Sequence, residues 1–137
     1  MRYPKFLTNR STIGFIAPAF GCSIEPYKNA FNHGLERLQA LGHTVKLGPN
    51  CYEGSGVGIS NEPQLCAKEF MEMWCDDGNE ALLSCGGGEL MCEILPYLDF
   101  EKLKEVSPKW FMGYSDNTNL CLLLATLCDT ASVYGPN

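Results

Sequence analysis

Two short stretches of this sequence could do chemistry together: Ser115 and Asp116 within GYSD, and the triplet Gly86, Gly87 and Gly88. An apolar run from Trp110 to Met112 meets Gly113, and within two residues the chain presents a hydroxyl and a carboxylate before a long apolar-periodic segment begins. A serine on a tight strand-to-helix turn is held out of the core, as in a nucleophile elbow, although the second glycine of GxSxG is absent. Just before a helix N-terminus, the free N–H groups and the positive end of the helix favour a developing anion. Glycines without a Cβ can turn further amides toward the same point. A hydroxyl beside amide donors is the layout that acyl transfer requires. Ser115 or Asp116 acting only as a cap for the following helix accounts for the same residues equally well. The triplet is equally open between a plain tight turn and a phosphate cradle, since neither a GxGxxG nor a P-loop lysine is present.

The elements that must position these residues are readable from periodicity. Residues 12–17 (TIGFIA) form a β-rich run ending at Pro18. Apolar positions 27, 30, 31, 34, 35, 38 and 41 follow a helical stripe that Gly42 closes. A second strand over 43–47 ends at Gly48-Pro49. Ser60 or Asn61 is placed to cap the next helix, with Pro63 in its first turn and Leu65, Cys66, Phe70, Met73 and Trp74 on its apolar side, and the helix stops near Gly78. Strands follow at 81–85, 109–112 and 131–134, with helices over 88–95, over 100–106 behind Asp99, and over 117–128. Strands alternating with helices at this spacing predict a doubly wound α/β domain, three layers with a mainly parallel sheet in the flavodoxin-like order 2-1-3-4-5. In such a sheet the strand-to-helix loops emerge at the carboxyl edge, where ligands bind. If the third and fourth strands are neighbours, about 4.8 Å apart, the glycine triplet and Ser115 face one cavity.

A serine also needs a base, usually histidine. His43 falls at the amino edge of the sheet, roughly 15 Å from Ser115 for a strand of about five residues. His33 is out of phase with the apolar stripe and is expected to face solvent. Asp116 is better placed to offer its N–H than to act as the base. If Ser115 is catalytic, its partner is missing from this chain.

Composition narrows the classes. The chain has 137 residues, enough for one domain with a real core, and at 45% hydrophobic and 19% charged it is not a disordered sequence. The net charge of −6 has no basic block to set against phosphates, so nucleic acid is a poor partner. The longest apolar stretch, Leu120 to Leu127, is far shorter than the roughly 20 residues of a membrane span, and Pro4 and TNRST interrupt any signal-like run. A cytoplasmic protein is expected. The eight cysteines include no CxxC and read as buried reduced thiols, without the paired spacing of a zinc site.

The segments IGFIAPAF, GHTVKLGPN, GGGELMCEILPYLDFEKLK and PKWFMGYSDNTNL followed by YGP cover almost the whole chain, and together they resemble one family. The chain is similar to the N-terminal domain of the serine peptidases that include LD-carboxypeptidases and microcin-C immunity peptidases. The resemblance implies that Ser115 is the nucleophile and that the backbone amides of Asp116 and of Gly87 or Gly88 form the oxyanion hole. It implies a separate C-terminal domain, absent from residues 1–137, bearing the glutamate and histidine of the triad, so the isolated chain is expected to be inactive. The implied reaction is hydrolysis near a peptide C-terminus through an acyl-enzyme, with neither cofactor nor metal. Implied partners are a small peptide or aminoacyl-nucleotide substrate, the C-terminal domain and, at full length, a second copy in a homodimer; neither nucleic acid nor membrane is expected. Where the murein-cleaving branch commonly carries Arg-Gly-Gly-Tyr-Gly, this chain has Gly86-Gly87-Gly88-Glu89-Leu90, nearer the immunity branch. Hydrolysis of a murein tetrapeptide and of an aminoacyl nucleotide both stay open, beside a different class of reading, a non-catalytic flavodoxin-like module that holds a nucleotide or flavin.

Overall fold

A computed structural model describes residues 1–136. Five strands, β1 (Thr12–Ile16), β2 (Thr44–Leu47), β3 (Ala81–Ser84), β4 (Trp110–Gly113) and β5 (Val133–Tyr134), form one sheet. Every pairing is parallel, and the order is β2-β1-β3-β4-β5, as expected from the alternation of elements. Because the chain steps outward from β1 to β2 and then crosses back to β3, the loops after β1 and β3 diverge at a topological switch point.

Alternation along β1 divides the core. Ile13 and Phe15 face helix α1 (Tyr27–Ala40), meeting Leu35 and the half-buried Phe31 and Leu38. Ile16 faces the other way, into a larger cluster built by α2 (Pro63–Cys75), α3 (Phe100–Glu105) and α4 (Thr118–Thr126). There Phe70 stacks on Trp74 with ring centroids 5.6 Å apart and meets Phe111 edge-on at 5.9 Å. Each such fully buried large side chain contributes on the order of 2 kcal/mol of transfer free energy. The Trp74 indole N–H donates to the Leu103 carbonyl at 3.2 Å, so burial leaves no orphan donor there.

Local details depart from the periodicity reading. The stretch expected as a helix over 88–95 is instead a 3₁₀ segment, Met91–Tyr97, with Pro96 inside it; Pro96 has no N–H to give and disfavours a full α-turn behind it. The expected side-chain cap of α2 is not made. Glu62 occupies the N-cap position without a side-chain bond, while the Ser60 hydroxyl donates to the Ala17 carbonyl and Asn61 Oδ1 accepts from the Glu62 amide. Asp99 does cap α3, accepting from Lys102 N at 3.0 Å. Among the described residues, no helix is long and apolar enough to cross a membrane.

Glu69 of α2 is 1% exposed, yet it is not isolated. Its two carboxylate oxygens accept from the amide of Ala17 at 2.9 Å and of Asn50 at 2.8 Å, so one side chain clamps the loops after β1 and β2. Burial raises its pKa above the ordinary carboxylate value, and those two amide bonds offset only part of the effect.

Candidate active site

β4 delivers Ser115 and β3 delivers the glycine triplet. The two strands are hydrogen-bonded neighbours, with Leu82 opposite Phe111 and Leu83 opposite Met112, so their carboxyl ends open at the same level of the sheet. Ser115 is exposed at the first position of a short 3₁₀ turn, Ser115–Asn117, that leads directly into α4. Its φ of 55° lies in the left-handed region, an uncommon conformation for a residue with a side chain, which costs on the order of 1 kcal/mol and throws the hydroxyl outward. The loop is held by its surroundings: Ser115 N–H donates to the Tyr134 hydroxyl at 3.2 Å, and Asn117 N–H donates to the Tyr114 carbonyl at 3.1 Å.

The glycine turn comes into contact with this serine. A Cβ built on Gly87 would lie 3.1 Å from Ser115 Cβ and 3.4 Å from its Oγ, so only a residue without a side chain fits unstrained beside the hydroxyl. At Gly88 a Cβ would come within 2.4 Å of the Gly58 carbonyl oxygen, which excludes any side chain there. The carbonyls of the turn are held in fixed bonds. Gly86 O accepts from the Asn117 side-chain amide at 2.8 Å and from the Ser84 hydroxyl at 2.9 Å, and Gly87 O accepts from Phe20 N–H at 2.9 Å. Because C=O and N–H are antiparallel across a trans peptide, anchoring these two oxygens turns the amides of Gly87 and Gly88 the opposite way. Neither amide donates to an acceptor among the described residues. Free backbone donors within reach of an outward serine are what a tetrahedral oxyanion would need.

Ser115, Tyr114 and the three glycines line an open cleft of about 620 Å³, whose wall includes Phe20, Tyr27 and Val57. Glu89 is the one charged side chain in that lining. A second, smaller cavity of about 330 Å³ lies beneath α1, is lined by Phe15, Leu38 and Leu83, and contains neither Ser115 nor the glycines. The larger cleft is the functional candidate because, unlike the slot beneath α1, it joins the hydroxyl to the free amides.

The residues singled out from the sequence therefore divide clearly. Ser115, Asp116, Gly87 and Gly88 come together at one rim. The Asp116 carboxylate turns away from the hydroxyl, accepting from Met91 N–H at 2.8 Å and from the Asn119 side-chain amide at 3.3 Å. His43 stands beyond the amino end of β2 with its ring nitrogen 3.3 Å from the Ser11 carbonyl, and His33 is exposed on α1. Neither histidine lines the cleft. Periodicity missed Asn117, Phe20, Gly58 and Tyr134, which hold the two loops. Asn117 sat in a plain helix-start context, and only its burial at 0% exposure distinguishes it from a solvent-facing cap.

The cysteines are all free, and Cys22, Cys51, Cys66, Cys121 and Cys128 are buried as expected. Cys75 and Cys85 are half-buried, and Cys92 is exposed, contrary to that expectation, because the 3₁₀ segment turns residue 92 outward.

Comparison with known proteins adds to this geometry. A model of the LD-carboxypeptidase N-terminal domain matches residues 13–135. The microcin C7 self-immunity protein MccF of Escherichia coli is 31% identical over 125 residues, covering 91% of this chain and 36% of that protein. Among solved structures, an MccF-like protein of Bacillus anthracis has a TM-score of 0.89 at 27% identity, covering 100% of this chain and 41% of its own. MccF in complex with glutamyl sulfamoyl guanosine has a TM-score of 0.85 at 28% identity, covering 95% of this chain and 38% of that one. The chain thus spans about two fifths of the length of these relatives.

Proposed function

The chain belongs to the LD-carboxypeptidase family, whose N-terminal domain it matches, and from that premise we propose that it is the nucleophile-bearing domain of a serine-type carboxypeptidase. Ser115 Oγ attacks the carbonyl carbon of an amide near the C-terminus of its substrate. The developing oxyanion is received by the backbone N–H of Asp116 and by that of Gly87 or Gly88, which are aimed before the reaction begins. Collapse of the tetrahedral intermediate expels the amine and leaves an acyl-serine, which water then hydrolyses. The proton of Ser115 goes to a base outside residues 1–137, a histidine oriented by a glutamate on a C-terminal domain. Without that base the isolated chain is inactive.

The observation that carries this reading is the abutment of Gly87 on a serine held at φ 55°. A helix cap has no need of a left-handed serine or of two unpaired amides beside it. The finer substrate assignment leans toward an aminoacyl nucleotide, because the related MccF is known in complex with glutamyl sulfamoyl guanosine; a murein tetrapeptide is the competing substrate. The test is hydrolysis of both compounds by the full-length protein and by Ser115→Ala. The alanine variant is expected to lose turnover on whichever substrate is cleaved, and undiminished turnover would end the proposal. Cleavage of the tetrapeptide alone would keep the mechanism and reverse the substrate.

A further inference from the structure

Three of the eight cysteines, far apart in sequence, meet at the carboxyl edge of the sheet. Cys22 follows β1, Cys51 follows β2 and Cys85 follows β3, and the parallel pairing of these strands brings the three positions together. Cys22 N–H donates to the Cys51 carbonyl at 2.7 Å. Cys22 Sγ lies 3.7 Å from the Cys85 carbonyl oxygen, and Cys22 and Cys51 both lie near enough to the Cys85 thiol to perturb it. The Cys51 thiol, 1% exposed, is also committed to the Phe15 carbonyl at 3.2 Å.

Cys22 and Cys85 differ from Cys51 in their access. Both residues line the open cleft of about 620 Å³ and also the apolar slot beneath α1, which Cys51 does not. The neighbouring Cys85 thiol holds the Cys22 thiol below its ordinary pKa in spite of burial. Cys22, then Cys51, and burial push Cys85 upward. One member of the pair is therefore biased toward the thiolate, the form that attacks, and the other keeps its proton.

We propose that Cys22 and Cys85 form a peroxide-sensitive dithiol whose oxidation to a disulfide ties the loop after β1 to the residue that leads the glycine turn. The Cys22 thiolate attacks one oxygen of hydrogen peroxide and the O–O bond breaks. Cys22 becomes a sulfenic acid, and the departing hydroxide takes up the proton that Cys22 released, forming water. The Cys85 sulfur then attacks the Cys22 sulfur, the S–O bond breaks, and the hydroxide leaves as a second water with the Cys85 proton. Two thiols lose two electrons and one peroxide is reduced to two waters. The new S–S bond is about 2.05 Å long, far shorter than any hydrogen bond between thiols, so it draws the two loops together. Cys85 directly precedes Gly86, and Phe20, two residues before Cys22, already holds the Gly87 carbonyl. The oxidation state of this pair thus acts on the glycine turn whatever reaction the cleft performs.

The experiment treats the reduced 137-residue chain with hydrogen peroxide, alkylates the remaining thiols after unfolding, and maps the peptides by mass spectrometry. The expected product lacks two alkylatable thiols per chain and contains one linked peptide pair, Cys22 with Cys85, which dithiothreitol separates. Cys51→Ser is expected to form the same link. Cys85→Ser is expected to lose it and to leave Cys22 as a sulfenic acid that dimedone captures; should that variant fail to fold, Cys22→Ser must abolish the link instead. Peroxide consumption confined to the exposed Cys92, with Cys22 and Cys85 both recovered as free thiols, overturns the proposal. A link of Cys85 to Cys51 in its place also overturns it.

Discussion

The side-chain amide of Asn117 donates to the Gly86 carbonyl at 2.8 Å, joining the turn that carries Ser115 to the turn that carries the glycines. The same Nδ2 donates to the Tyr114 carbonyl at 3.1 Å, so one buried group fixes both loops, while its Oδ1 has no partner. Packing holds it in place: a Cβ on Gly113 would sit 2.7 Å from Asn117 Cβ. Replacing Asn117 by Ala removes both side-chain bonds, while the Gly86 carbonyl keeps the Ser84 hydroxyl and the Tyr114 carbonyl keeps the backbone N–H of residue 117, so the loss is about 0.5–1.5 kcal/mol per bond. The expected result is a lower denaturation midpoint for the isolated chain with an unchanged m-value, together with a fall in full-length turnover.

Gly87→Ala tests the contact with Ser115 directly. The added methyl must displace the serine or the turn by a few tenths of an ångström. Losing one well-aimed oxyanion donor costs about 10²–10³ in kcat. Steady-state kinetics of the full-length variant are expected to show a drop approaching that size, with KM little altered. Gly88→Ala, facing the Gly58 carbonyl at 2.4 Å, is expected to lower thermal stability as well.

At Ser115 the proposed function and stability oppose each other. The left-handed backbone is strained for serine and for alanine but not for glycine. Ser115→Gly is therefore expected to be more stable than Ser115→Ala by about 1 kcal/mol, both variants being inactive. Denaturant midpoints of the two isolated chains check this. Equal midpoints would show that the conformation is not strained.

The pH dependence follows from Glu69. Its folded-state pKa is raised by burial, so in the window between the ordinary carboxylate value and that raised value the folded state holds more protons than the unfolded state. The stability from this group is fully present below the ordinary value and is lost as pH rises through the folded one. Relative to Glu69→Gln, the wild-type chain is expected to lose stability over that rise. The protonated acid, like glutamine, has a single carbonyl oxygen for the amides of Ala17 and Asn50, so the two chains are expected to differ least at acidic pH. Urea titrations of both chains across the window measure that difference.

Much of the architecture was legible in residue order alone. A β-rich run at TIGFIA, a 3.6-period stripe from Tyr27 and punctuating glycines and prolines depend on local backbone geometry, which is why element type, and from the alternation of elements the expected strand order, could be read without coordinates. Finer local choices were not legible. Whether Ser60 caps a helix or bonds across to Ala17, and whether the chain after Gly88 turns as an α-helix or a 3₁₀ segment, depends on which partner the folded neighbours offer.

By itself the sequence determined that a hydroxyl and a set of glycines would leave neighbouring strands at the carboxyl edge, because side-chain type and chain connectivity settle that much. Only the tertiary structure decided that Gly87 lies against Ser115, that Asn117 bridges the two turns and that three distant thiols converge. Those contacts join residues 28 to 63 positions apart, and no local periodicity encodes the pairing register and loop closure that bring them within a few ångströms.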